Sequence, residues 1–342
     1  MTVRSLVRTA VTVGAHVTGL SRAVAIRYRG RGMIFALHSV VDDAAFHPDE
    51  TLRCSVGQLD WTLRWLKTRG FEFVSLDQAV GRLSGPPSAP FAAFTFDDGY
   101  ADNLTHALPV MERFRAPFTV YVTTGMVTRE IDVWWFGLSA LVRSQDRIEL
   151  PELGRFECAD RASKKHTFRV IESAIHKDFN VLAHVRAAIK ASQIDCRTLT
   201  DREALDEAQL RRLARHPLVT IGGHTTTHTN LARSSASTVE SEMAANRKFL
   251  QDATDTPVEH FAYPFGHARA CGEREASIAR SVGFRTAVTT RLGAVFPDHL
   301  EHLYALPRMH LACDDTPSSL RCKADGVYRA IQSRFGDPVA RM

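Results

Sequence analysis

Short apolar runs recur along the chain, and most of the segments between them carry helical periodicity. The clearest are Met33–Leu37, Phe91–Phe96, Phe118–Val122, Val219–Ile221, His260–Ala262, Thr286–Thr289 and Tyr304–Leu306. Runs this short that do not alternate apolar with polar are buried on both faces, the pattern of parallel strands covered by helices. Helices are predicted over Val56–Thr68, where Leu59, Leu63 and Leu66 share a face, and over Asp102–Phe114. Thr200–Glu203 and Ser237–Glu240 have capping-box form and predict two further helix starts. Ser84–Pro90, rich in proline, glycine and serine, predicts a loop. Seven or eight such strands favour a closed barrel over an open sheet. The spacing fails once, between Tyr121 and Val219, where about a hundred residues are mostly helix-like and include Trp134-Trp135 and His166–Lys190.

The expected fold is therefore α/β: a barrel over residues 33–312, carrying a helical insertion at about 126–199 that is either a lid or a small domain. A basic arm over 1–32 precedes the barrel and a helical tail over 313–342 follows it. The net charge of +5 is concentrated in the arm, which holds Arg4, Arg8, Arg22, Arg27, Arg29 and Arg31 and no acid. The rest of the chain is close to neutral, which argues against a nucleic-acid footprint on the folded body. Six cysteines without a C-x-x-C pair read as mostly free thiols in a reducing compartment. The most apolar stretch, Thr9–Leu20, is broken by Gly14, His16 and Gly19 and is too short to span a bilayer. The expectation is a cytoplasmic protein. Val3, Leu6, Val7, Ala10 and Val11 fall on one helical face among the arginines, so peripheral membrane contact through residues 1–32 is a second expectation. The competing reading is an arm whose arginines serve only solubility.

In a barrel of parallel strands, chemistry sits at the C-terminal strand ends. The polar residues expected there are His38, then Asp97 and Asp98, then His224 and His228 after Gly222-Gly223. Tyr263, Phe265 and His267 follow the next run, and Arg308 and His310 the last. Each has a plainer reading as well. Asp97-Asp98-Gly99 has the composition of a turn, and a His pair four apart arises by chance among 15 histidines. His38 alone is more often structural, and Trp134-Trp135 reads as packing more readily than as a sugar platform. Against this, two imidazoles four apart share a metal only on a turn or a helix start, which Gly222-Gly223 supplies. One carboxylate with two imidazoles suits zinc or another divalent first-row metal, and leaves room for water. The second carboxylate is then available as a base.

Thr95-Phe96-Asp97-Asp98-Gly99-Tyr100 and His224-Thr225-Thr226-Thr227-His228 resemble the first two motifs of the polysaccharide deacetylases, the NodB-homology or carbohydrate esterase family 4 enzymes. Phe261–Gly266 resembles a variant of their third motif, and the likeness runs from about Met33 to Arg308 outside the insertion. The resemblance implies a distorted (β/α)7 barrel and divalent-metal-dependent removal of acetyl groups from an N-acetylated glycan, with zinc the favoured ion. It implies Asp97 as catalytic base and Asp98, His224 and His228 as metal ligands. The Phe265 N–H falls at the oxyanion position, with Tyr263 and His38 near the substrate. Ala262 stands where the third motif has arginine, so Arg308 is expected to hold Asp97 in its place. The late histidine acid of the family has no clean counterpart; His310 is the positional candidate and His38 the weaker one. A hydrolase of a non-sugar amide and a non-catalytic carbohydrate-binding protein are the competing functions.

Overall fold

The computed structural model describes residues 20–42, 46–49, 52–311 and 315–342. Seven parallel strands form a closed barrel. They are β1 (Gly32–Leu37), β2 (Phe91–Phe96), β3 (Phe118–Val122), β4 (Val219–Gly223), β5 (His260–Ala262), β6 (Thr286–Leu292) and β7 (Leu306–His310). They are ordered as in the chain, and β1 closes the ring by pairing with both β7 and β2. A two-residue strand, Glu72–Phe73, pairs with the start of β2. The β1–β2 register runs from Gly32–Phe91 to Leu37–Phe96, so His38 and Asp97 leave the barrel side by side.

The barrel is least regular where the site is built. Strands β4 and β5 meet at one pair, Gly223–Phe261. Between β6 and β7 the register shifts, with Val288 opposite Leu306 but Leu292 opposite Arg308. Gly222 is required by close packing, since a Cβ there would lie 2.4 Å from the Tyr121 ring. One apolar cluster takes Ile34, Ala93, Tyr121, Ala262, Val288 and Leu306 from six strands and is joined by Leu76, Ala79 and Leu83 of the helix Leu76–Ser84. The alternate strand residues, among them Phe35, Phe94, Phe118, Ile221 and Phe261, form a larger cluster with the surrounding helices. Strands buried on both faces are what unbroken apolar runs require.

Between β3 and β4, besides the short helix Thr124–Val127 and the helix Glu207–Ala214, lie the four helices of the insertion, α1 (Trp134–Ser144), α2 (Arg161–Lys177), α3 (Val181–Ala191) and α4 (Cys196–Glu203). They enclose a core of their own, with Leu138, Leu141, Phe168, Ile171, Ile175, Val185 and Ile189 buried together. The segment also contains an antiparallel hairpin, Arg147–Leu150 with Gly154–Glu157, which periodicity did not predict. A second cluster, Tyr100, Met126, Val133, Phe136 and Ala204, ties α1 to the barrel mouth.

Three local expectations need correction. Thr200 does not start a helix; it lies inside α4, where its hydroxyl bonds the Cys196 carbonyl. The following helix, Glu207–Ala214, starts at the Asp206–Gln209 capping box. The helix predicted at Ser237 is α5 (Ala236–Thr254), capped two residues earlier by Ser235, which accepts from the Thr238 N–H. Leu303–Ala305 is a 3-10 turn, so β7 begins at Leu306 and Arg308 and His310 are strand residues.

Residues Leu20–Tyr28 are helical and lie on the body: Val24 and Tyr28 are buried with Cys322, Val327 and Ala330. The Tyr28 hydroxyl donates to the Gly336 carbonyl at 2.8 Å. Two C-terminal helices, Pro317–Ala324 and Val327–Gln332, complete this contact. The apolar face predicted over Val3–Val11 lies outside the described residues. Among the described residues no helix is long and apolar enough to cross a membrane, and the five described cysteines form no disulfide with one another.

Candidate active site

Asp97 and Asp98 follow β2, and the backbone separates their side chains. Asp98 has φ 73° and Gly99 φ 89°, a left-handed turn that sends neighbouring carboxylates apart. Asp97 meets Arg308, whose two terminal nitrogens donate to its two oxygens at 2.6 and 2.7 Å. Arg308 is almost fully buried; it also donates to Thr95 Oγ1 at 3.0 Å and, through Nε, to the Thr289 carbonyl at 3.0 Å. Burial pushes the Asp97 carboxyl up, but the Arg308 charge and hydrogen bonds outweigh it and hold its pKa below the ordinary value. A forked guanidinium on a buried carboxylate fixes both its charge and its orientation.

Asp98 meets the two histidines instead. Its Oδ1 lies 3.4 Å from His224 Nε2 and 3.3 Å from His228 Nε2. One ligand atom from each of the three residues falls within 4.8 Å of the others. Asp98 Oδ1 is buried and has no hydrogen-bond donor among the described residues, an arrangement that is costly unless a cation takes the lone pairs. His224 Nδ1 lies 2.7 Å from the Ala262 carbonyl, which can only accept, so Nδ1 carries the hydrogen and Nε2 offers its lone pair toward Asp98. The residues present therefore fit a divalent ion.

The His224–His228 segment is a turn built on positive φ at Thr225 (64°) and His228 (53°). Helix α5 holds it from below. Asn246 donates to the Val122 and Thr225 carbonyls at 2.9 and 2.6 Å and accepts from the His224 N–H at 3.1 Å. Glu242, one turn earlier, accepts from the Thr226 and Thr227 N–H groups at 2.9 Å each. Neither residue was singled out from the sequence. The available signal was Asn246 itself, a polar residue inside the apolar stripe Val239, Met243, Leu250.

Phe265 has φ 62° and Gly266 φ 58°. Thr290 anchors this turn through Oγ1 to the Phe265 carbonyl (2.7 Å) and through its N–H to the Gly266 carbonyl (3.0 Å). A Cβ on Gly266 would meet Thr290 N at 2.6 Å. The Phe265 N–H has no protein acceptor among the described residues.

A cleft of about 390 Å³ gathers Asp97, Asp98, His38, His224, His228, Phe265, His267 and His310. His38 Nε2 stands 3.8 Å from Asp97 Oδ2, and the His38 and His310 rings are 6.0 Å apart. Burial lowers the His38 pKa despite the nearby carboxylates, so its ring is neutral at pH 7. The structure thus brings His38 to the cleft beside His310 rather than leaving it a bystander. Tyr263 is the exception among the predicted site residues. It is buried outside the cleft lining, and its hydroxyl donates to the Tyr304 carbonyl at 3.0 Å, so the expectation that it meets substrate is withdrawn. On a strand only every other side chain faces one way, and Tyr263 packs on Phe261.

The insertion contributes residues that the sequence reading did not assign. Trp134, Trp135, Glu172 and His176 all line the cleft. The Trp135 ring lies 5.2 Å from His228, and His176 lies 5.2 Å from Phe265. The Trp pair packs in the insertion core, as expected, and it also lines the cleft. Burial, with a smaller effect from Asp49, pushes the Glu172 carboxyl up to about 8.

The family model for polysaccharide deacetylases matches residues 84–287. The chain belongs to that family. YxkH of Bacillus subtilis (strain 168), a protein named as a polysaccharide deacetylase, is 22% identical over 264 residues, covering 77% of this chain and 67% of its own. Among solved structures, the Streptococcus pyogenes deacetylase PplD in complex with acetate superposes with a TM-score of 0.56 at 18% identity, over 84% of this chain and 96% of its own. IcaB from Ammonifex degensii gives 0.56 at 16% identity, over 87% and 99%. These likenesses establish the (β/α)7 deacetylase barrel. The chain is accordingly an enzyme of the polysaccharide deacetylase family, whose substrates are glycans.

Proposed function

We propose that this protein is a divalent-metal-dependent hydrolase that removes N-acetyl groups from an amino sugar in an oligosaccharide, a polysaccharide or a glycan precursor. One observation carries the reading: Asp98, His224 and His228 converge within 4.8 Å beside an aspartate clamped by a buried arginine. Two imidazoles and one carboxylate favour zinc among the divalent ions. Bound there, the ion would supply Lewis acidity at the acetyl carbonyl and lower the pKa of water toward neutrality.

The chain's own groups account for the remaining roles. Asp97 is ionised, oriented and desolvated, as a base that takes a proton from water must be. The Phe265 N–H offers a fixed dipole to the negative charge developing on the carbonyl oxygen. His310 and His38 stand at the same rim, and His310 is assigned delivery of a proton to the leaving amine, with His38 beside it as the second candidate. Acetate and a free amino sugar result. A non-catalytic carbohydrate-binding protein would have no use for the paired Asp97–Arg308 charges at the base position, and this favours turnover.

The test is acetate release across a set of N-acetylated glycans, with metal content measured on the same samples. Asp97→Asn is expected to lose about 10²–10⁴-fold in turnover and keep its metal. Asp98→Asn and His228→Ala are expected to lose metal and activity together. Retention of metal by Asp98→Asn with its loss from Asp97→Asn would reverse the two assignments. A metal-loaded protein that releases no acetate from any glycan would favour the amide or binding readings.

A further inference from the structure

Beyond the cleft lies a second cavity of about 500 Å³. It shares Trp134, Trp135, His228 and Phe265 with the cleft, so these four side chains form a common wall between the two spaces. Its far side is built by the insertion and by the turn after the histidines. The insertion supplies Phe179, Leu182 and Arg186, and the turn supplies Asn230 and Arg233. Phe179 is 41% exposed, its ring partly open to this cavity.

The chemistry of this cavity is that of a sugar site with a charge preference. Aromatic faces at Trp134, Trp135 and Phe179 offer apolar surface for a pyranose ring, and polar groups rim them. Two guanidiniums are present against one carboxylate. Arg186 engages Asp132 through Nε at 2.5 Å and makes no further hydrogen bond among the described residues. The Arg233 guanidinium has no hydrogen bond or ion pair among them, its backbone N–H alone donating, to the Asn230 carbonyl. Asn230 Oδ1 is buried and unpartnered at the same wall. An excess of planar donors favours a carboxylate or phosphate over a neutral group.

We propose that this second cavity is the subsite for the unit attached to the acetylated sugar, and that it selects a unit carrying an anionic group, a carboxylate or a phosphate. The assignment rests on the deacetylase reading for the identity of the sugar in the first cleft. It makes the insertion a specificity element: the barrel supplies the reaction, and the insertion recognises what lies next to the acetyl group.

The experiment is a tryptophan-fluorescence titration of the full chain at low ionic strength, where exposed charges are least screened. Four probes are used: N-acetylglucosamine, its neutral β-1,4 disaccharide, the same sugar joined to glucuronic acid, and N-acetylglucosamine 1-phosphate. At least one anionic probe is expected to bind about tenfold or more tighter than the neutral disaccharide. Arg233→Ala and Arg186→Ala are each expected to reduce that advantage by weakening the anionic probe more than the neutral one. Whichever anionic probe binds tighter distinguishes a carboxylate from a phosphate. Equal affinity for neutral and anionic probes, no binding of any probe, or an advantage that survives both substitutions would overturn the proposal. Two exposed positions on different elements guard against a folding artefact in either variant. Acetate release followed in parallel separates the two claims: binding with the expected charge preference but no release defeats the hydrolase and leaves the subsite standing.

Discussion

Replacing Arg308 by methionine should be one of the costliest single changes to this protein. The guanidinium and the Asp97 carboxylate are each almost fully excluded from solvent and share two hydrogen bonds of 2.6 and 2.7 Å. Removing one member of a buried pair strands the other charge, at a cost of about 3–5 kcal/mol. At roughly 2 °C per kcal/mol for a large domain, the melting temperature should fall by about 6–10 °C. The carboxyl also changes its titration. Arg308 now holds its pKa below the ordinary 3.8, so its contribution to stability is complete above that value and lost as pH falls through the folded pKa. Without the guanidinium, burial dominates and pushes the pKa upward, so the base is less ionised at neutral pH. The acidic limb of the acetate-release profile should move to higher pH, with a rate loss at pH 7 that partly recovers in base. Arg308→Lys should fall between, because an ammonium keeps the charge and loses the fork. Thermal melts and pH profiles of both variants check this. An Arg308→Met protein that melts within about 2 °C of the parent and keeps its acidic limb would refute the argument.

Other outcomes follow from the same geometry. Asn246→Leu should strand the His224 N–H and take a donor from the Val122 and Thr225 carbonyls, the latter keeping the Thr124 N–H, at about 1–3 kcal/mol per unsatisfied group, and lower metal affinity; denaturant unfolding and elemental analysis measure both. Glu172, raised from 4.5 to about 8, holds its proton when folded through a window in which the unfolded chain has lost it, so stability falls as pH rises across that window. Glu172→Gln should therefore gain stability on the order of a few kcal/mol at pH 8 and little at pH 4, read from melts at both. The arginines ahead of residue 20 should bind anionic vesicles in a salt-sensitive way. The comparison is the full chain against one beginning at Leu20, because Val24 and Tyr28 belong to the folded body. Equal co-sedimentation of the two would remove the arm from that role.

What could be read from residues alone was whatever depends on short stretches of chain. Phe91–Phe96 is apolar throughout because both its faces are covered, and a run of that kind declares a parallel strand without reference to the rest of the fold. Asp97 and Asp98 could be placed at its end for the same reason. The His224–His228 spacing carried its own geometric demand for a turn, which Thr225 and His228 meet at positive φ. Closure was expected from the strand count, but its register was not legible. That β1 pairs with β2 in a register setting His38 3.8 Å from Asp97 is decided by the whole ring. Nor was the approach of the insertion, since α1 and α2 pack through their own core. Nothing in Trp134, Trp135 or Glu172 tells which of their faces remains for the barrel mouth.

Arg308 shows where the two kinds of information meet. The resemblance, with Ala262 where the third motif has arginine, suggested that Arg308 pairs with Asp97 instead, but the pairing depends on a feature no local pattern contains. Between β6 and β7, four residues of one strand are matched by two of the other, from Val288–Leu306 to Leu292–Arg308. Such irregularities bend a strand and re-aim its side chains. Here Arg308 meets Thr289 and Thr95 on the way to Asp97. On β5, Ala262 contributes a small side chain to the interior and its backbone carbonyl to His224. An arginine at 262 would have to displace that packing. What the site demands is a guanidinium on one particular carboxylate, and a closed barrel can deliver it from more than one strand. The identity of the strand is therefore free to vary while the chemistry is not.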